Sequence, residues 1–175
     1  SVIKHKLFVI FPLKEDSIET PKKYSLKQSS VYFIKEVKPE KGYEIFRDQI
    51  THGSGGLCIS KLSPERIKEI YNISKTTILW LTFDNSENNR ISPVDTDGLI
   101  SIVSDFVRNV ESPFIFLDCF DQIKFANGFE RALHVLKDFI RICSDNRAIM
   151  LLSVPIEMFE RHQLNIINEN LIEVV

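Results

Sequence analysis

The sequence lacks most of the signatures that would name a chemistry on sight. Its three cysteines, Cys58, Cys119 and Cys143, are far apart, and each sits in or beside an apolar stretch. No Cys-x-x-Cys occurs, which speaks against zinc and for buried free thiols in a cytosolic protein. No apolar run approaches the ~20 residues that cross a bilayer. The longest near the start, LFVIFPL at 7–13, contains a proline and lacks the shape of a signal peptide. With a net charge of −2 there is no basic field to attract nucleic acid. There is no G-x-S-x-G and no H-E-x-x-H. His5, His52, His134 and His162 lie in unrelated segments, and His134, between apolar neighbours on a helix, is expected to be partly packed. No catalytic set, metal site or cofactor is expected. The chain starts at Ser1 without Met and is read as a processed product or an excerpt of a larger protein.

What is present is an ordinary globular composition, 43% hydrophobic and 26% charged, in a chain of 175 residues that fits one domain. Continuous apolar runs at 31–37 (VYFIKEV), 57–62 (LCISKL), 77–83 (TILWLTF), 114–118 (FIFLD) and 148–154 (AIMLLSV) read as buried strands, with a last strand at 171–175. Helical spacing marks 40–50, 95–110, 129–142 and 156–170, and Ser63-Pro64 opens a further helix with an N-cap and a proline at the first helical position. The polar, asparagine-rich 84–91 reads as a surface loop. Alternating strands and helices predict an α/β fold: a three-layer, mostly parallel sheet of five or six strands with helices on both faces. Residues 1–23 fall outside this alternation and read as an N-terminal extension or linker, with 6–13 as an added edge strand; 24–175 form the α/β domain.

The strand 114–118 ends in Asp118, where P-loop nucleotide hydrolases place the carboxylate that organises Mg²⁺. A phosphate cradle needs glycines and then Lys-Ser/Thr between a strand and a helix. The matching slot, 35–46 (KEVKPEKGYEIF), has one glycine, Gly42, no Gly-Lys-Ser/Thr, and the opposing charges of Glu36, Glu40 and Glu44. The only glycine cluster, His52, Gly53, Ser54, Gly55 and Gly56, precedes a strand and reads as a tight turn or an anion nest. Asp118 has two readings, metal-organising or hydrogen-bonded to loop N–H groups. Asp121 reads as a cap on the following helix or as simply exposed.

In order, the stretches YSLKQSSVYFIKE, GYEIFRDQITHGSGGLCISKLSPERIKEIY, TILWLT, ISPVDTDGLISIVSDFV, FIFLDCFDQIKFANGFERALHVLKDF and RAIMLLSVPIEMF resemble the archaeal domain-of-unknown-function family 835, over 24–175. The most specific pieces are H-G-x-x-G-L-C-I-[ST] at 52–60 and L-D-x-x-[DE]-x-[IL]-x-x-x-N-G-F-E at 117–130. The sequence carries Cys119-Phe120 where the family often has Gly and a β-branched residue. The resemblance implies no settled activity; it implies an archaeal domain found alone or fused to sensory and signalling modules. By element order it also looks like a RecA-like ATPase core with the P-loop erased, an analogy of fold alone.

The expected function is therefore a non-catalytic, cytoplasmic regulatory or protein-interaction domain. Its partner is another protein or a second copy, without nucleic acid or membrane insertion, within a larger signalling protein in some settings. The alternative is a sensor binding a nucleotide or small molecule at the strand C-terminal ends without hydrolysis. A third reading is a divergent hydrolase using Asp118 and Asp121. The candidate edge comprises Glu36, Thr82, Asp84, Asp118, Asp121, Asn127 and Gly128, because loops at the C-terminal ends of parallel strands carry most functional residues. As a set these residues are acidic and suggest a cationic ligand or a basic protein surface.

Overall fold

The computed structural model describes residues 7–10, 21–84 and 86–174. Its seven strands, β1 (Ser30–Lys35), β2 (Gly55–Ser60), β3 (Thr77–Leu81), β4 (Arg90–Ile91), β5 (Pro113–Leu117), β6 (Ile149–Val154) and β7 (Ile172–Glu173), form one sheet in the order β4-β3-β2-β5-β6-β1-β7. Every pairing is parallel. The sheet thus exceeds the expected five or six strands by β4, two residues inside the stretch read as a loop. Trp80 N–H donates to Asn89 O at 2.8 Å and Thr82 N–H to Ile91 O at 2.8 Å, so the loop's return is captured by the free edge of β3.

Six α-helices cover the two faces: α1 (Glu40–Thr51), α2 (Pro64–Tyr71), α3 (Thr96–Asn109), α4 (Phe120–Asn127), α5 (Phe129–Asn146) and α6 (Arg161–Asn170). The side chains of α1 and α2 pack on one face, with Tyr43, Ile45, Phe46 and Ile67 against Cys58, Phe114, Phe116 and Leu151. The other face carries the larger core, where Leu99, Val103 and Phe106 of α3 and Leu136 and Phe139 of α5 meet Leu57, Ile59, Ile115, Leu117, Met150 and Leu152. Alternate residues of β2, β5 and β6 therefore serve opposite cores, which is why their sequence shows no polar alternation. Cys58, Cys119 and Cys143 are buried and unpaired. No described helix is long and apolar enough to cross a membrane.

Three local readings are corrected. The segment 156–170 is a short 3-10 turn, Ile156–Met158, followed by α6, because Glu160 starts a new helix through a reciprocal cap with Gln163. The span between Asp118 and the helix expected at 129–142, read without a helix of its own, carries α4, and Gly128, with φ +85°, separates it from α5. His134 is exposed, since it projects from the solvent side of α5 between the buried Ala132 and Val135.

Of the expected edge strand at 6–13 only 7–10 are described. They are held by side chains: Phe8 N–H donates to Asn89 Oδ1 at 2.6 Å, Asn89 Nδ2 donates to Phe8 O at 3.1 Å, and Ile10 N–H donates to Thr77 Oγ1 at 2.9 Å. His5, Val175 and, apart from 7–10 and 21–23, the expected extension or linker at 1–23 lie outside the described residues. Residues 23 and 24 dock on α1, where both N–H groups reach the Asp48 carboxylate.

The packing of α5 makes a direct prediction. Leu136 has no exposed surface. Leu136→Ala should cost about 2–5 kcal/mol in urea denaturation, whereas His134→Ala should stay within about 0.5 kcal/mol of the parent.

Candidate functional site

β5 delivers Asp118 to the α1 face, because its residues alternate between the cores and Phe116 already points that way. Asp118 N–H donates to Ile59 O at 3.1 Å and continues the ladder with β2. The side chain is 2% exposed and accepts three hydrogen bonds. Tyr43 Oη donates to Oδ2 at 2.6 Å, Ser60 Oγ donates to Oδ2 at 2.8 Å, and Lys61 N–H donates to Oδ1 at 3.1 Å. Burial raises the Asp118 carboxyl above its usual range, a push that the Tyr43, Ser60 and Lys61 donors only partly offset. The Tyr43 phenol is driven far up, first by burial and then by the neighbouring Cys58 and Asp118. Its ring is fixed by stacking on Tyr71 at 3.9 Å and by an edge contact with Phe116 at 4.7 Å.

Glu36, just past β1, closes the first turn of α1. Its Oε2 accepts from Lys41 N–H and its Oε1 from Gly42 N–H, both at 3.0 Å, while Ser153 Oγ donates to Oε1 at 2.7 Å. Helix N-termini leave N–H groups unsatisfied and favour an anion. Here the anion is a side chain of the same chain. Burial raises the Glu36 carboxyl, with the Ser153, Gly42 and Lys41 donors opposing. Gly42 permits the arrangement: a Cβ there would lie 2.6 Å from the Phe116 ring and 2.9 Å from Glu36 Oε1.

Asp121 lies in the first turn of α4, where an acidic residue suits the helix dipole, but the capping position itself is Cys119. Both expected readings of Asp121 give way to a third. It is buried, and its Oδ2 accepts from Lys61 Nζ at 3.0 Å. Its Oδ1 is buried without a hydrogen-bond partner among the described residues. Lys61 thus contacts both aspartates, with its main-chain N–H on Asp118 and its ammonium on Asp121.

The other candidate residues spread out along the same edge. β5 is separated from β3 by β2 and from β1 by β6. At ~4.8 Å per strand, Thr82 and Asp84 lie roughly 10 Å to one side of Asp118 and Glu36 roughly 10 Å to the other. Thr82 Oγ1 accepts from Asp84 N–H at 3.3 Å, and the exposed Asp84 carboxylate pairs with Arg90 at 3.0 Å. Asn127 Nδ2 donates to Pro93 O at 2.8 Å and Ile123 O at 2.9 Å, tying α4 to the loop before α3. Gly128 makes the α4–α5 corner. The acidity of these residues is thus largely matched internally: Asp84 by Arg90, Asp121 by Lys61, Asp118 and Glu36 by hydrogen-bond donors.

His52, Gly53, Ser54, Gly55 and Gly56 lie at the opposite end of the sheet, between α1 and the start of β2. The N–H groups of His52, Gly53, Ser54 and Gly55 donate to the carbonyls of Asp48, Ile50, Gln49 and Ser112. Gly53 has φ +101°, and a Cβ at Gly55 would meet Val110 at 2.1 Å. Among the described residues no group of three or more His, Cys, Asp or Glu side chains is placed to hold a metal ion. The residues that sequence reasoning missed are Tyr43, Ser60, Lys61 and Ser153. Tyr43 was legible only as one position of an amphipathic stripe.

The Tyr43–Asp118 contact predicts a pH-dependent cost. The folded protein holds the Asp118 proton more tightly than the unfolded chain does. The stability this contributes is complete below about pH 4 and is lost as pH rises through the raised folded value. Tyr43→Phe removes a donor that favours the carboxylate. It should cost about 1–3 kcal/mol by urea denaturation at the high-pH end of the folded range, and less as pH falls through the raised folded value. A cost that does not change with pH would overturn this.

No curated protein matches the chain. A family model does, over 35–171, a shorter span than the 24–175 assigned to the domain from sequence. That span runs from the end of β1 through α6 and contains Glu36, Tyr43, Lys61, Asp118, Asp121 and all of β2 to β6. On that match the chain belongs to the family described as "Protein of unknown function (DUF835)".

Proposed function

We propose that this domain is a non-catalytic, RecA-like-derived module in which its own side chains occupy the positions of phosphate and metal. We further propose that it works as a cytoplasmic archaeal regulatory domain through contact with a protein partner or a second copy. The observation that carries this reading is Glu36. Its carboxylate accepts from the Lys41 and Gly42 N–H groups where α1 follows β1, the location that would otherwise receive a phosphate. Beside it, Tyr43 fills the space in front of Asp118, and the Lys61 ammonium neutralises Asp121. A triphosphate approaching α1 would have to expel one carboxylate and face a second.

Several apolar side chains stand exposed at this end of the sheet. Val37, Phe83, Val94, Phe125 and Met158, from loops or helices that follow β1, β3, β4, β5 and β6, are exposed, Phe125 to 82%. Exposed apolar side chains gathered at one end of a domain are a common mark of a protein contact. This supports an apolar partner surface over the cationic one that the acidic residues suggested. The sensor alternative requires the Glu36 and Tyr43 contacts to open for a ligand.

Two measurements test the proposal. ATP with Mg²⁺ should leave the melting transition unmoved, whereas a ligand present at 100 times its Kd would add about 2.7 kcal/mol. Light scattering across a concentration series, with cross-linking in the native cell, should show association through the 83 and 125 positions. Phe83→Ser with Phe125→Ser should abolish it without lowering stability. Saturable ATP binding, or association unchanged in the double variant, would overturn the reading.

A further inference from the structure

Residues 7–10 lie along the outer edge of β3, where side chains hold them. Asn89 meets both main-chain groups of Phe8: its Oδ1 accepts from the N–H at 2.6 Å and its Nδ2 donates to the O at 3.1 Å. Ile10 N–H donates to Thr77 Oγ1 at 2.9 Å. Asn89 O also accepts from Trp80 N–H. Phe8 therefore lies towards Trp80 and Ile10 at the start of β3, and the segment runs against the strand. Leu7 and Val9 pack against the larger core. Phe8 and Ile10 turn outward, 56% and 46% exposed.

A paired side-chain amide recognises extended main chain and not a particular side chain. The core beneath it selects apolar residues at alternate positions. None of these contacts depends on the segment belonging to the same chain. Residues 11–22 connect it to Lys23, which docks on α1. A connection of that length reaches at most about 45 Å, against a width of roughly 40 Å for a domain of this size. The segment can therefore be presented to a neighbouring molecule. Its outer face is apolar as well, which fits an element made for contact and not a solvated linker. Such a tether acts as an effective concentration on the order of 1 mM. For the segment to be held at all, its intrinsic Kd must lie near or below that.

We propose that the β3 edge is a docking site for an extended apolar segment and that it accepts residues 7–10 of a second copy of this chain in place of its own. The exchange replaces one occupant with an identical one and adds no strand to either sheet. It involves neither Phe83 nor Phe125, so its failure leaves the function proposed above standing.

The test uses two full-length variants. Phe8→Pro with Ile10→Pro removes both N–H donors and empties the edge; both positions are exposed, so the variant should fold as the parent does. Asn89→Gly disables the edge and keeps the segment, because Asn89 has φ +60°, which glycine adopts freely. The proline variant, isotopically labelled, is titrated with the unlabelled glycine variant while the Asn89 side-chain amide is followed by NMR. A peptide of residues 5–12 is the second titrant, and a chain carrying all three changes is the control. The glycine variant and the peptide should each shift the Asn89 amide saturably with a Kd near or below about 1 mM, and the control should bind about tenfold more weakly or not at all. Three results would overturn the proposal. The first is no saturable shift with either titrant up to about 2 mM, which would leave 7–10 as a fixed part of its own fold. The second is a peptide that binds where the glycine variant does not, which would mark a site closed to a second copy. The third is an equal shift with the control, which would put the association elsewhere.

Discussion

The buried Asp118 carboxylate is the constraint on which one half of the molecule is arranged. Removing a carboxylate from water is costly unless its oxygens are satisfied. Asp118 is satisfied only if three separate elements meet: β2 must bring Ser60 and the Lys61 N–H to the end of β5, and α1 must lie close enough for Tyr43 to reach within 2.6 Å. That closeness in turn requires Gly42 against the Phe116 ring. The hydrogen bonds therefore fix the height and rotation of α1 on the sheet, where apolar packing of Ile45 and Phe46 alone would tolerate sliding. Glu36 fixes the same helix at its N-terminus, so α1 is held by two carboxylates from two strands.

This arrangement inverts the usual economy of a parallel sheet. The C-terminal ends of the strands normally present unsatisfied N–H groups and side chains to a ligand. Here the first turn of α1 and the end of β5 are satisfied from within, and Lys61 links the two aspartates. A buried charge pair contributes little net stability against a hydrophobic equivalent, so the Lys61–Asp121 pair is better understood as fixing the position of α4 over the sheet. Several large apolar side chains, Val37, Phe83 and Phe125 among them, stand exposed outside this network.

Much of the fold was legible because the signals were local. The β2, β3, β5 and β6 runs are apolar on both faces, and the α3 and α5 stripes repeat over three turns or more. What was missed has physical reasons. β4 is two residues in a polar stretch, and its pairing is created by the exposed edge of β3 rather than by propensity. α4 is only eight residues long and buries just Phe120 and Ile123 of its apolar side chains, too short a stripe to stand out in the sequence. The site was less legible. Glu36, Asp118 and Asp121 could be picked out as carboxylates at or just beyond strand ends, but their partners Ser153, Tyr43 and Lys61 are each tens of residues away. Distance in sequence hid which charges were already matched, and so the edge read as acidic when it is largely neutralised.

The outer strands β4 and β7 are each only two residues long. An edge strand with a full row of free N–H and C=O groups is a template for the next chain. Here β7 offers almost no row, and the early part of β3 that β4 leaves uncovered has 7–10 fastened across it by side-chain bonds from Asn89 and Thr77. Among the described residues, neither outer strand offers a long row for a further chain. Such a domain can be strung repeatedly along a longer polypeptide, or crowded to high local concentration, without neighbouring copies merging into one continuous β-structure.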